Sequence, residues 1–250
     1  MKLSKILSIG AVGALLLIES TSAMAQQVVP ESEIPPQILR MIQAQQQAPA
    51  TPRTGEVIVP MKGEISQDMA DKFAAQSEAF LRDPRAAGVP VKILLDSPGG
   101  DLNAAWAIVD QITALQEKGH PVTVVVHEMV ASAATVIFEA AAKRVVYEKA
   151  MMMIHQPAFA VASQKMVMMQ PDELNSVIEG LNKSMDEMCQ FMAGASGGKL
   201  TADQIQAKIA HGMKWFISAK EMMDLGLADE VIPANKHVPH GAAAQPVETK

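Results

Sequence analysis

Strands with no polar face alternate with amphipathic helices through the middle of this chain. That alternation restricts the fold more than any other feature. Residues 91–95 are apolar apart from Lys92, and 121–126 are mostly β-branched. Runs of this kind are typical of strands buried on both faces of a parallel sheet covered by helices. Apolar residues three and four apart mark the helices. Ala70, Phe73, Ala74 and Phe80 lie in a helix expected from Gln67 to about Leu81, with Ser66 as its cap. Ala105, Ile108, Val109, Ile112 and Leu115 lie in a second at 102–118. Leu174, Val177, Leu181, Met185 and Met188 lie in a long one at 172–192. Shorter helices are expected at 131–142, 202–210 and 219–225, and short strands at 56–60, 145–147 and 151–154. The expected architecture is α/β around a mainly parallel sheet.

The ends read differently. A basic start, a short apolar run at 6–18 and Ala23-Met24-Ala25 form a secretory signal peptide at 1–25. The apolar run is too short to span a bilayer easily, so no stable membrane span is expected once the leader is removed. Residues 26–53 are rich in Gln, Pro and Ala and read as an arm or linker. One short amphipathic helix is possible at 36–47. A single domain follows at 54–234, then a polar tail expected to be disordered at 235–250. The predicted localisation is periplasmic or secreted. Net charge is −6, without a basic cluster, which argues against a nucleic-acid partner. Cys189 is the only cysteine, so no intramolecular disulfide can form. Its helical context reads as a buried packing residue.

Three segments carry chemistry. Ser132 lies in Val130-Ala131-Ser132-Ala133-Ala134, after a strand and at the mouth of a helix. A serine hydroxyl needs a base to become a nucleophile, and imidazole, which titrates near neutral pH, is the natural one. His155, in Met153-Ile154-His155-Gln156-Pro157, is the candidate base. The backbone amide of Ala133 and the bare backbone of Gly99-Gly100 could donate to a developing oxyanion. Each signal alone is weak, since a serine at a helix start is usually only a cap. Their order strengthens them.

The series Asp96-Ser97-Pro98-Gly99-Gly100-Asp101, Val130-Ala131-Ser132-Ala133-Ala134 and Met153-Ile154-His155-Gln156-Pro157 resembles the Clp protease proteolytic subunit. So does the closing stretch from Phe216 to Ile232. The resemblance implies a ClpP/crotonase-like fold of repeated ββα units with a protruding handle helix at 172–192, and a homo-oligomer of stacked rings. It implies Ser132 as nucleophile, His155 as base, and the amides of Gly100 and Ala133 as the oxyanion hole. It also places the family's third catalytic residue, an aspartate, two positions before Phe216, where this chain has Lys214. A cation there opposes proton uptake by an imidazole. His211, Asp172, Glu128 and Asp224 are alternative partners for His155. Lys214 reads as a solvated surface lysine ahead of a catalytic one.

The expected function is an exported serine endopeptidase acting on peptides or unfolded proteins. It would work without a cofactor or metal, and a cytoplasmic ATP-dependent unfoldase is not expected as partner. The alternative is a catalytically impaired binding or assembly module of the same fold. A crotonase-type enzyme acting on a coenzyme A thioester rests on fold alone.

Overall fold

The alternation of strands and helices is realised as two sheets whose strands run on from one to the other. The computed structural model describes residues 7–10, 13–16, 28–29, 55–158 and 169–234. The chain divides into two units, Met1–Thr51 with Pro239–Lys250, and Pro52–Val238. In the first, β1 (Leu7–Gly10) pairs antiparallel with β2 (Gly13–Leu16), which pairs antiparallel with β3 (Val28–Val29). The helix expected at 36–47 and the tail at 235–250 lie outside the described residues.

The second unit holds the main sheet. Its strands are β4 (Val57–Lys62), β5 (Val91–Asp96), β6 (Val122–Val126), β8 (Lys143–Tyr147) and β11 (Glu230–Ile232). All pair in parallel, in the order β11-β8-β6-β5-β4. A smaller sheet contains β7 (Met129–Ala131), β9 (Met151–Ile154) and β10 (Trp215–Ser218), in the order β10-β9-β7. β7 and β9 are parallel, and β10 is antiparallel to β9. Isolated bridges, Ser97 to Val130 and Ile65 to Gly100, extend the smaller sheet towards β5 and β4. Strands β4, β5 and β6 thus run on into the smaller sheet and then turn into helices. β4 leads through Ile65 to α1 (Gln67–Arg82), β5 through Ser97 to α2 (Leu102–Glu117), and β6 through β7 to α3 (Ala134–Glu139). These are the repeated ββα units.

Local chemistry sets the helix starts. The Ser66 and Asp101 side chains accept the amides of Met69 (3.3 Å) and Ala104 (2.9 Å). In α2, Ala104, Ala105, Ile108, Val109, Ile112 and Leu115 are buried, the face the apolar spacing predicted. The long helix α4 runs Pro171–Ala195, beyond both expected ends. Pro171 sits in its first turn, and the Glu173 carboxylate accepts the Gln170 amide at 2.9 Å. Only its C-terminal half is buried, through Met188, Cys189 and Met192. α5 (Ala202–Ile209) packs on it, and α6 (Ala219–Asp224) follows β10. Among the described residues no helix is long and apolar enough to cross a membrane.

One expected element is wrong in a way that matters. The alanine-rich stretch 131–142 is not one helix. Its start is strand β7, and α3 spans only Ala134–Glu139. Pairing of Met129, Val130 and Ala131 with Met151, Met152 and Met153 overrides the helix propensity of alanine. β10 and β11 were likewise not expected as strands.

Candidate active site

Ser132 stands where β7 ends and has not yet become α3. Its amide still bonds as in a strand, donating to the Met153 carbonyl at 2.8 Å. Its carbonyl already belongs to the next turn, accepting from the Thr135 amide (3.0 Å) and hydroxyl (2.6 Å). The change of direction is concentrated at Ser132, whose φ of 52° lies in the left-handed region that side chains with a Cβ rarely occupy. Such strain persists only where the surroundings hold it, and it recurs at functional positions. The serine therefore sits on a hinge before the helix, not at a helix cap as its context suggested. The N-cap is Ala133.

The Ser-Pro-Gly-Gly turn lies against that hinge. A Cβ built on Gly99 (φ 100°) would stand 2.5 Å from the Ser132 Cβ, 2.8 Å from the Ala131 carbonyl oxygen and 3.1 Å from Ser132 Oγ. Only glycine allows this approach. Ser97 fastens the turn. Its Oγ accepts the Gly99 amide at 3.1 Å, its amide donates to the Met129 carbonyl at 2.9 Å, and its carbonyl accepts the Ala131 amide at 3.0 Å. The amides of Gly100 and Ala133 donate to no acceptor among the described residues. Backbone amides are rarely left so.

His155 follows β9 directly. The β7–β9 register pairs Ala131 with Met153, so Ser132 and His155 leave neighbouring parallel strands at the same end. Backbones in such strands lie about 4.8 Å apart. The imidazole Nδ1 is 2.6 Å from the Gln156 carbonyl oxygen. A carbonyl only accepts, so the proton of a neutral ring lies on Nδ1 and Nε2 is left with its lone pair. Among the described residues Ser132 Oγ and the imidazole share no hydrogen bond. Catalytic hydrogen bonds are often long before substrate binds.

The third position lacks an acid. Trp215 pairs with Ile154, and continuing that antiparallel register puts Lys214 opposite His155. Lys214 is exposed and forms no ion pair among the described residues. His211 is exposed on a tight turn with φ 58° and makes no hydrogen bond to His155. None of the carboxylates considered reaches the ring. The Glu128 carbonyl accepts the Met151 amide, at the end of β9 remote from His155. Asp172 lies in the first turn of α4, and Asp224 is bound to Lys220 at 2.6 Å.

Three supports were not foreseen from sequence. The Gln156 side chain accepts the Gly212 amide at 3.2 Å and reaches the Met185 sulfur at 3.5 Å, tying the histidine segment to the turn at His211 and to α4. Asp96 accepts the amides of His127 (3.0 Å) and Glu128 (2.7 Å), bracing the bend between β6 and β7. Beneath α3, Arg144 donates to Glu139 at 2.6 Å, to the Ala195 carbonyl at 3.0 Å, and to both oxygens of Asp229 at 2.7 and 3.0 Å. Burial pushes the Glu139 carboxyl up to about 8, against the pull of Arg144. Burial, aided by Asp186, pushes the Cys189 thiol up to about 11, as suits a packing residue. Among the described residues no cluster of His, Cys, Asp and Glu could hold a metal ion.

This arrangement defines an α/β protein whose glycine turn lies against its serine at the junction of two sheets, with the histidine leaving the neighbouring strand at the same end. Residues 46–235 match the Clp protease family, and the chain belongs to that family. It is similar to the ATP-dependent Clp protease proteolytic subunit 2 of Treponema denticola, with 29% identity over 72% of this chain and 83% of that one. It is similar to the proteolytic subunit of Streptococcus gordonii, with 28% identity over 71% and 85%. Among solved structures, a mutant ClpP1 from Listeria monocytogenes shares the fold, with a TM-score of 0.59, 26% identity, and coverage of 71% of this chain and 92% of that one. At the level of the family, the chain is a serine peptidase.

Proposed function

We propose that this chain is an exported serine endopeptidase that cuts peptides or unfolded proteins through an acyl-enzyme on Ser132. The observation that carries the reading is a serine on a left-handed hinge, one strand from a histidine, with the amides of Gly100 and Ala133 unpaired among the described residues. Ser132 Oγ attacks the scissile carbonyl as its proton passes to His155 Nε2. The amides of Gly100 and Ala133 receive the oxyanion, each donor contributing about 3–4 kcal/mol to the transition state. The imidazolium then protonates the leaving amine, and water activated by the same nitrogen releases the acyl group. The leader at 1–25 supports a periplasmic or secreted location, where substrates arrive without a cytoplasmic unfoldase. Family membership and the exposed apolar residues Leu174 and Ile178 of α4 support a homo-oligomeric ring joined through that helix. A fluorophosphonate probe tests the chemistry. It should label the wild-type protein at Ser132 and leave Ser132→Ala unlabelled; an unlabelled wild type, under conditions that label an active serine hydrolase, overturns the reading.

A second reading, an assembly module of impaired activity, is favoured by Lys214 opposite His155 and by the absence of a carboxylate at the ring among the described residues. It requires Ser132→Ala to leave the cellular phenotype unchanged. A phenotype matching gene deletion removes it.

A further inference from the structure

Glu139 is the one charged residue of α3, and nothing in the proposed chemistry uses it. Its side chain is completely buried. As a source of stability it is badly placed. An acid at the C-terminal end of a helix meets the negative end of the peptide dipoles. A buried acid–base pair is often no more stable than well-packed apolar residues in its place. One Glu139 oxygen has no hydrogen-bond partner among the described residues, and the other accepts from Arg144 at 2.6 Å. The same helix begins at the candidate site. Ser132 and Ala133 precede it directly, and the Ser132 carbonyl is held by the amide and hydroxyl of Thr135 in its first turn. No side chain of Ala133 fastens that end. Glu139 lies about 9 Å from Ala133 along the helix axis.

We propose that Glu139 and Arg144 are positioning residues: the latch between them fixes α3 on the main sheet, and so sets where Ser132 Oγ and the Ala133 amide stand against the Gly99-Gly100 turn. The inference rests on the peptidase reading. Arg144 is a firm anchor. It lies in β8, its amide donates to Asp229 at 2.7 Å, and its carbonyl accepts the Asp229 amide at 2.8 Å. Its guanidinium is a planar fork, which lets it meet Asp229, the Ala195 carbonyl and Glu139 at once. The two candidate oxyanion donors come from separate segments, Gly100 from the turn after β5 and Ala133 from the start of α3. A slide of α3 would spread them, and a misplacement of about 1 Å can cost 10^2 in rate. Gln116 of α2 also holds this end of α3, bonding the Ala140 carbonyl at 3.2 Å and the Ala142 amide at 2.7 Å. The helix should therefore stay formed when the latch is lost; what changes is where it sits.

Two variants of the full-length chain separate position from packing. Glu139→Met keeps the bulk and removes the acceptor, while Glu139→Gln keeps an acceptor for Arg144. Fluorophosphonate labelling of Ser132 is followed without denaturant, with each variant folded by circular dichroism. Glu139→Met should label slower than the wild type by about tenfold or more, and Glu139→Gln should recover most of the rate. Hydrolysis of a fluorogenic peptide should place the loss in kcat and leave KM unchanged. Phe73→Leu, a core change in α1, should lower the urea midpoint without slowing labelling. Arg144→Lys keeps the charge and loses the fork; it should slow labelling too, and it decides the question if Glu139→Met does not fold. Hydrogen exchange read by mass spectrometry does not depend on turnover. Loss of the latch should speed exchange at 132–139 and leave 102–117 unchanged. Wild-type labelling in the folded variants, a Glu139→Gln as slow as Glu139→Met, or unchanged exchange at 132–139 overturns the proposal. So does equal slowing by Phe73→Leu at a matched urea midpoint, which would make the pair a matter of stability alone. A wild type that does not label counts against the peptidase reading instead, and the exchange measurement then still decides whether the latch holds α3.

Discussion

At the scale of single residues, the site turns on what holds His155. In serine hydrolases the acid does two things: it fixes the imidazole tautomer, and it stabilises the imidazolium. The Gln156 carbonyl, 2.6 Å from Nδ1, can do the first but carries no full charge for the second. Lys214, opposite in register, works against the second. Lys214→Asp should therefore raise the rate of Ser132 labelling on the order of 10^2, short of the roughly 10^4 a whole acid is worth elsewhere. Labelling kinetics at neutral pH decide it, and an unchanged rate would mean that residue 214 does not reach the ring. Gly99 makes a second case. Alanine there places a carbon 2.5 Å from the Ser132 Cβ at a φ of 100°, so Gly99→Ala should abolish labelling and destabilise the fold by about 1–3 kcal/mol. Urea denaturation beside the labelling assay separates the two losses. The candidate residues themselves were legible as Ser132, His155 and the Ser-Pro-Gly-Gly turn. The left-handed backbone at Ser132 and the Gln156 contact were not, because neither has a local composition that announces it.

At the scale of elements, long periodic segments were the legible ones. α1 and α2 lie within a residue of their expected ends, since each buries one face at helical spacing. β7, β10 and β11 escaped, being three or four residues long and held by partners far away in sequence. α3 owes its position to the same kind of distant contact. It is six residues long, and Arg144 ties its last residue, Glu139, to Ala195 at the end of α4 and to Asp229. One Glu139 oxygen is buried without a partner among the described residues. Arg144→Ala should cost about 1–3 kcal/mol in urea denaturation, since it leaves the buried Glu139 carboxyl without its hydrogen-bond partner. The pH dependence follows from the raised carboxyl. Unfolded chains ionise glutamate near 4.5, while the folded protein keeps this proton to about 8. Between those values the unfolded state binds fewer protons, so stability falls as pH rises and levels off above 8. Glu139→Gln should remove that slope, which denaturation at pH 5.5 and pH 8 would read as a smaller difference than in the wild type.

At the scale of the whole molecule, α4 is built for two environments. Its C-terminal half is anchored in the core by Met188, Cys189 and Met192. Its N-terminal half keeps Leu174 and Ile178 43% and 47% exposed, on the face that continues through Leu181 and Met185. A helix of 25 residues is about 37 Å long, enough to present that face well beyond its anchor. The periodicity that identified this helix from sequence did not distinguish the buried half from the exposed one, because both use the same apolar spacing. Water does distinguish them: the exposed half gains stability only when something covers it. If a second copy of the chain does so, Ile178→Asp places a charge in that contact at no cost to the isolated subunit, whose core this residue does not enter. Sedimentation should then show a smaller species than the wild type at the same concentration, with unchanged helix content by circular dichroism and a lower midpoint of thermal unfolding, since the assembly no longer stabilises the fold. A variant of wild-type mass would take α4 out of the assembly and leave its apolar face to another partner.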